Sequence, residues 1–192
     1  MHERTREILG LAATVLLVAC GDTTRPTSPA TGDRTLGTKT AAGATNHLVS
    51  MKDACDPATF DAALQDPSAC LRNGGVTFQE FVAQLQRHQQ AGAWHFAPPS
   101  LTVPEGSTLT AINRGGEVHT FTEVERFGGG MVPLLNTLSG NPTPAPECLA
   151  LGPSDFVAPG GTFTVTESEA GVEHYQCCIH PWMRTTVRVR GS

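Results

Sequence analysis

The chain is short of positive charge. Its 192 residues carry 13 Lys and Arg against 18 Asp and Glu, a formal charge of −5. That balance excludes non-specific nucleic-acid binding, which needs a basic footprint. Long apolar runs are also missing. The stretch Ile8 to Ala19 is too short to span a bilayer as a mature helix. Gly21 to Ser50 holds almost no large apolar residue and is built from Thr, Gly, Ala, Ser and Pro. Such a segment cannot bury enough surface to offset the entropy of ordering, so residues 20–50 read as a flexible tether. No internal repeat is visible, and the length suits one ordinary domain with extensions.

What the N-terminus does have is an address. Arg4 and Arg6 precede the short apolar run, which has the size of a signal-peptide core. It ends in Leu17-Val18-Ala19-Cys20. These four residues resemble the lipobox of bacterial lipoproteins, which implies removal of residues 1–19, lipidation of Cys20, and anchoring to an envelope membrane facing the periplasm or exterior. Several acyl chains hold a protein stably on a membrane surface where one alone does not. Export also favours thiol pairing. Apart from Cys20, the cysteines are Cys55, Cys70, Cys148, Cys177 and Cys178. That odd number leaves at least one with another use.

Residues 51–92 read as a helical extension. Asp56 followed by Pro57 is an N-cap with proline at the first helical position. Thr77 and Glu80 have capping-box spacing, and Phe78, Phe81, Val82 and Leu85 form an apolar stripe. Cys55 and Cys70 bracket the first helix as disulfide partners. From Ala93 the pattern changes to short strands: "SLTV", "STLTAIN", "VHTFTEV", "TFTVTES", "EHYQC" and "TTVRVR", punctuated by "PEG", "RGGE" and "APGG". Short strands with frequent Gly and Pro turns predict a mainly β sandwich or barrel. Arg126 to Asp155 interrupts the rhythm, and a loop of that length is often functional.

The segment "QCCIHPWM", Gln176 to Met183, concentrates soft donors near the C-terminus. Two imidazoles and a thiolate in a trigonal set, with a weak axial thioether, make a blue-copper electron-transfer site. One histidine lies in the segment, so the second comes from elsewhere. His119, opening "HTFTEV" after a turn, is the best placed. Zinc sites favour Cys pairs spaced by two to four residues, which adjacent cysteines do not supply. No second bridging thiolate is spaced for a dinuclear copper centre.

Cys177, His180 and Met183 in the spacing CxxHxxM, with Pro181, Trp182 and Arg184 around them and His119 upstream, resemble the cupredoxin family, most closely its amicyanin and plastocyanin-like branch. The resemblance covers residues 93–192. It implies a Greek-key cupredoxin-like β-sandwich, here with a short N-terminal helical extension. It also implies one copper ion held by His119, Cys177 and His180, with Met183 axial. In many relatives an asparagine follows the first histidine and braces the ligand loops. Here that place is Thr120, and Asn113 is a candidate substitute. Successive strand side chains face opposite ways. Cys177 has the family spacing to His180, so Cys178 faces elsewhere and Cys148 is its one unassigned partner. A Cys148–Cys178 disulfide would pin the long loop beside the centre.

The expected function is electron transfer rather than catalysis, with no small-molecule substrate. Electrons would leave through an apolar surface at His180, Pro181 and Trp182 during transient contact with redox proteins. Such encounters are typically small and weak. The alternative is an envelope copper-binding protein for delivery or storage, without electron traffic.

Overall fold

The computed structural model describes residues 45–191. Signal segment 1–19, Cys20 and most of the tether read from residues 20–50 lie outside them. The first strand, β1 (Asn46–Lys52), begins inside that tether and runs on into the segment read as helical. Its Val49 and Met51 point inward while Asn46 and Lys52 are exposed. The alternation is only two apolar residues deep, and Leu48 breaks it by standing 53 % exposed on the outer face. Nothing local announces the strand. It is fixed by parallel pairing with a strand some sixty residues on, Asn46 opposite Thr108 and Met51 opposite Asn113.

Two helices follow β1 and are therefore inserted between strands of the sandwich. In α1 (Pro57–Leu64) the Asp56 carboxylate accepts from the Thr59 amide. In α2 (Phe78–His88) Thr77 and Glu80 close a reciprocal capping box. Each cap satisfies amides that a helix start leaves without partners. Phe81 and Leu85 bury the apolar stripe of α2. Phe60, Phe78, Phe81 and Trp94 form one aromatic cluster, with ring centroids 4.6–6.2 Å apart. The Cys55–Cys70 disulfide closes the base of the insertion.

The remaining strands are β2 (His95–Ala97), β3 (Ser100–Pro104), β4 (Thr108–Asn113), β5 (His119–Thr120), β6 (Thr122–Val124), β7 (Phe156–Val157), β8 (Thr162–Thr166), β9 (Gly171–Gln176) and β10 (Arg184–Arg190). One sheet has the order β2-β1-β4-β8 and the other β3-β10-β9-β6, while β5 pairs with β7. The chain is thus mainly β, in two four-stranded layers. Period-2 patterning sets which face is buried: Leu109, Ala111 and Asn113 of β4 turn inward, as do Thr185, Val187 and Val189 of β10. Phe96, Phe121 and Tyr175 fill the core between them, the last two stacked 4.4 Å apart.

The long segment between β6 and β7 is folded. It contains α3 (Pro133–Leu138) and two short 3-10 turns, Pro146–Leu149 and Pro153–Asp155. A Cys148–Cys178 disulfide fastens it to the end of β9. Gly130 lies against the same point. A Cβ there would meet the Cys178 carbonyl oxygen at 2.0 Å, so the backbones approach as only glycine permits.

Candidate metal centre

Three elements deliver donors to one end of the sandwich. His119 opens β5, held by its pairing with Val157. Cys177 leaves β9 just as its antiparallel pairing with β10 ends. His180 sits in the turn between them. That turn is closed by the Cys177 amide donating to the Met183 carbonyl at 3.0 Å, and the Met183 amide to the His180 carbonyl at 2.9 Å. Sharp closure is what lets a seven-residue connection, Cys177–Met183, aim a sulfur and an imidazole at one point.

Cys177 Sγ lies 3.8 Å from His119 Nδ1 and 3.8 Å from His180 Nδ1. The three donors form a cluster within 4.8 Å of one another and are buried. Bonds of about 2.0–2.3 Å from nitrogen and sulfur to one ion, spread trigonally, place such donors roughly 3.6–3.8 Å apart. The donor chemistry and spacing therefore fit one metal ion. Cys177 is the free cysteine of the described residues. Its sulfur accepts from the amides of Thr120 and His180, both at 3.5 Å. Burial opposes ionisation of this thiol, yet hydrogen bonds from the two imidazoles, and their charge, hold it well below the ordinary thiol range. Met183 is fully buried on the same loop.

A second layer holds these groups in place. His119 Nε2 bonds Asp53 Oδ2 at 2.9 Å, with neither side chain exposed. Asp53 also accepts from the amides of Gly116, Glu117 and Cys55 at 2.9, 3.0 and 3.3 Å. Burial works against its ionisation, but the bond to His119 and the two amides of Gly116 and Glu117 outweigh it and hold the carboxyl below its usual range. For His119, burial favours the neutral ring. The Asp53 bond and the Cys177 sulfur more than reverse this, pushing its pKa up to about 9. A carboxylate fixing the outer nitrogen of a ligand histidine sets the tautomer and orientation of the ring. Glu117 Oε2 faces His180 Nε2 at 3.6 Å and accepts from Trp94 Nε1. Burial pushes this carboxyl above its usual range.

The residues read from sequence as metal ligands divide accordingly. His119, Cys177 and His180 are brought together, with Met183 in the same turn. Thr120 occupies the bracing asparagine's place, and its hydroxyl accepts from the Cys178 amide at 2.8 Å. Asn113 braces too, donating to the carbonyls of Glu117 and Val157 at 2.7 Å each. Arg184 is used internally: its guanidinium reaches the Pro181 carbonyl at 2.7 Å and Asn141 Oδ1 at 2.7 Å.

The expected electron-exit surface at His180, Pro181 and Trp182 needs correction. His180 is 2 % exposed, Pro181 is buried and Trp182 is half-buried. The cause is the helical insertion. Phe81 of α2 sets its ring 6.3 Å from that of His180 and 6.0 Å from that of Trp182. An apolar cavity of about 250 Å³ remains between α2, α3 and the loop, lined in part by Phe78, Phe81, Leu135, Ile179 and His180. Sequence reasoning also missed Asp53 and Glu117. Asp53 is 66 positions from its histidine, and no local pattern joins the two.

No protein-family model matches the chain, and no curated protein matches it. Among solved structures the chain is similar to a purple cupredoxin from Nitrosopumilus maritimus, at 25 % identity and TM-score 0.39 over 52 % of this chain and 86 % of that one. It is similar to an amicyanin variant in its Cu(I) form, at 25 % identity and TM-score 0.34 over 50 % and 73 %. It is also similar to the oxidised plastocyanin of Dryopteris crassirhizoma, at 19 % identity and TM-score 0.35 over 50 % and 89 %.

Proposed function

We propose that this protein is a type 1 copper electron carrier, with His119, Cys177 and His180 as strong ligands and Met183 as the axial thioether. The observation that carries the reading is the buried Cys177 sulfur 3.8 Å from the inner nitrogen of each of two imidazoles. Soft thiolate with imidazole suits copper, and two histidines, one cysteine and a weak thioether suit its one-electron chemistry. Bound copper would supply a single-electron couple. The chain's own contribution is to hold the donors still. Asp53 fixes the His119 ring, the amides of Thr120 and His180 stabilise sulfur charge, and Thr120 ties β5 to the ligand turn. Donors braced this way need not move when the ion's charge changes.

The chain would work on the envelope membrane, lipid-anchored at Cys20, and exchange electrons with redox proteins in brief contacts. Catalysis is not part of the reading. The test is a visible and EPR spectrum of the protein loaded with Cu(II). An intense thiolate-to-copper band, bleached reversibly by reductant and lost in Cys177→Ser, is expected. A colourless complex that takes up only Cu(I) would overturn it.

One observation favours a second reading. His180 lies beneath Phe81 rather than at the surface, which suits an envelope protein that stores or delivers copper without electron traffic. Electron self-exchange separates the two. A carrier exchanges rapidly between oxidised and reduced protein, whereas a store does not.

A further inference from the structure

A second group of oxygen donors gathers around Tyr175 and belongs to no part of the copper reading. Glu167 follows β8 and is 1 % exposed, yet its Oε2 has no hydrogen-bond partner. Its Oε1 lies 3.1 Å from the Tyr175 hydroxyl, and Glu173 Oε2 lies 3.1 Å from the same hydroxyl. One hydroxyl hydrogen serves only one of these oxygens at a time. Glu167 and Glu173 line a cavity of about 180 Å³ together with Glu123 and Glu169. Among the described residues, no Lys, Arg or His side chain lies within ion-pair distance of any of the four. Backbone bonds hold Glu167 in place: its amide donates to the Ser107 carbonyl at 2.8 Å and its carbonyl accepts from Gly106 at 2.7 Å.

Four carboxylates without a counter-charge, one of them buried with a bare oxygen, make a costly arrangement. Burial, then the Glu173 carboxylate, raises the Glu167 pKa, so the site as it stands favours holding a proton. A cation would satisfy the same oxygens better. All the donors are hard oxygens, and the exposed Glu123 and Glu169 can turn in from the rim. Flexible carboxylate ligation in an open cavity completed by water suits Ca²⁺ better than the strict octahedron of Mg²⁺.

We propose that Glu167, Glu173 and the Tyr175 hydroxyl, completed by Glu123 and Glu169, form a site for a hard divalent cation, Ca²⁺ by preference, separate from the soft-donor centre. The test uses the full chain after treatment with a chelator. Titration with CaCl₂ gives one binding event by calorimetry. A hundredfold excess over the dissociation constant raises the thermal midpoint by about 5–10 °C. Tb³⁺ as a Ca²⁺ stand-in gives luminescence sensitised through Tyr175, the one tyrosine of the chain, and Ca²⁺ displaces it. Glu167→Gln loses the binding event, the midpoint shift and the luminescence, while Cys177→Ser keeps all three. If Glu167→Gln does not fold, Glu173→Gln carries the same comparison. Absence of heat and of midpoint shift with CaCl₂ in the wild-type chain overturns the proposal. So does a folded Glu167→Gln or Glu173→Gln variant that titrates as the wild type does.

Discussion

Replacing Asp53 by Asn tests the second layer of the candidate metal centre most directly. Four donors converge on this carboxylate: His119 Nε2 and the amides of Gly116, Glu117 and Cys55. Asparagine keeps one acceptor oxygen and presents an NH₂ to donors that then have nothing to bond. Hydrogen bonds to a charged group are worth about 1.5–3 kcal/mol each, and a buried donor left unpaired costs a similar amount. The metal-free variant is therefore expected to lose about 2–3 kcal/mol, or roughly 5–10 °C in thermal midpoint. The sign of its pH dependence follows from His119, whose pKa is raised to about 9 in the folded chain. A raised pKa contributes stability that is complete below the unfolded value of about 6.5 and vanishes as pH rises through the folded one. The deficit of Asp53→Asn should thus be largest near pH 6 and shrink toward pH 9. Copper affinity moves differently. If the centre takes copper as proposed, a proton on His119, whose pKa is raised to about 9, competes with the ion at neutral pH and should lower wild-type affinity roughly a hundredfold at pH 7. Affinity should therefore climb about tenfold per pH unit until near pH 9. Asp53→Asn relieves part of that competition but loses orientation and basicity, which is worth about 10–100-fold. The variant should bind more weakly at pH 9 and differ least at pH 7, with a flatter slope. Competitive Cu(II) titration across this range, beside melts of the metal-free protein, measures both. An affinity that tracks the wild type at every pH, with unchanged midpoints, would refute the role given to Asp53.

Three further outcomes follow from the same geometry. Phe81→Ala, which removes the ring over His180, should cost about 3–5 kcal/mol in chemical denaturation and speed electron self-exchange by opening the histidine edge. Replacing Cys148 and Cys178 together by serine opens a loop spanning 30 residues. A loss of about 3–4 kcal/mol is expected, with the copper absorption band kept because Cys177 is untouched. Thr120→Val keeps the shape but strands the Cys178 amide, which bonds the hydroxyl at 2.8 Å. It should lower the denaturation midpoint by the equivalent of about 1–3 kcal/mol and broaden the EPR signal of the copper form.

Much of the centre is legible because its chemistry is local. Cys177, His180 and Met183 stand within seven residues, and a short spacing of soft donors has few other uses. His119 was found by its place after a turn, and the helix starts by Asp56, Pro57, Thr77 and Glu80, each of which acts on its nearest neighbours. What escaped depends on distant pairing. β1 has only Val49 and Met51 to mark it, and its partner β4 lies far along the chain. Asp53 reaches His119 only because β1 pairs beside β4 and delivers the next turn to the metal end. The cover on His180 escaped for the same reason. The stripe on α2 told that the helix packs on something, but an apolar stripe carries no record of what lies beneath it.

The neighbouring sulfurs at the end of β9 set a sorting problem for the newly made chain. Cys178 closes a bridge to Cys148, while Cys177, one peptide bond away, stays reduced and turns inward. An oxidant acting on an unfolded chain sees two equivalent thiols, and joining Cys148 to the earlier one would consume the sulfur proposed to bind metal and leave the other stranded. The two are told apart only once the turn after β9 has formed, where the Cys178 amide bonds the Thr120 hydroxyl and the Cys177 sulfur accepts from the amides of Thr120 and His180. A wrong first pair can still be corrected, because the spare thiol stands next to the bridge and can attack it, and the folded arrangement then holds the bridge at Cys178.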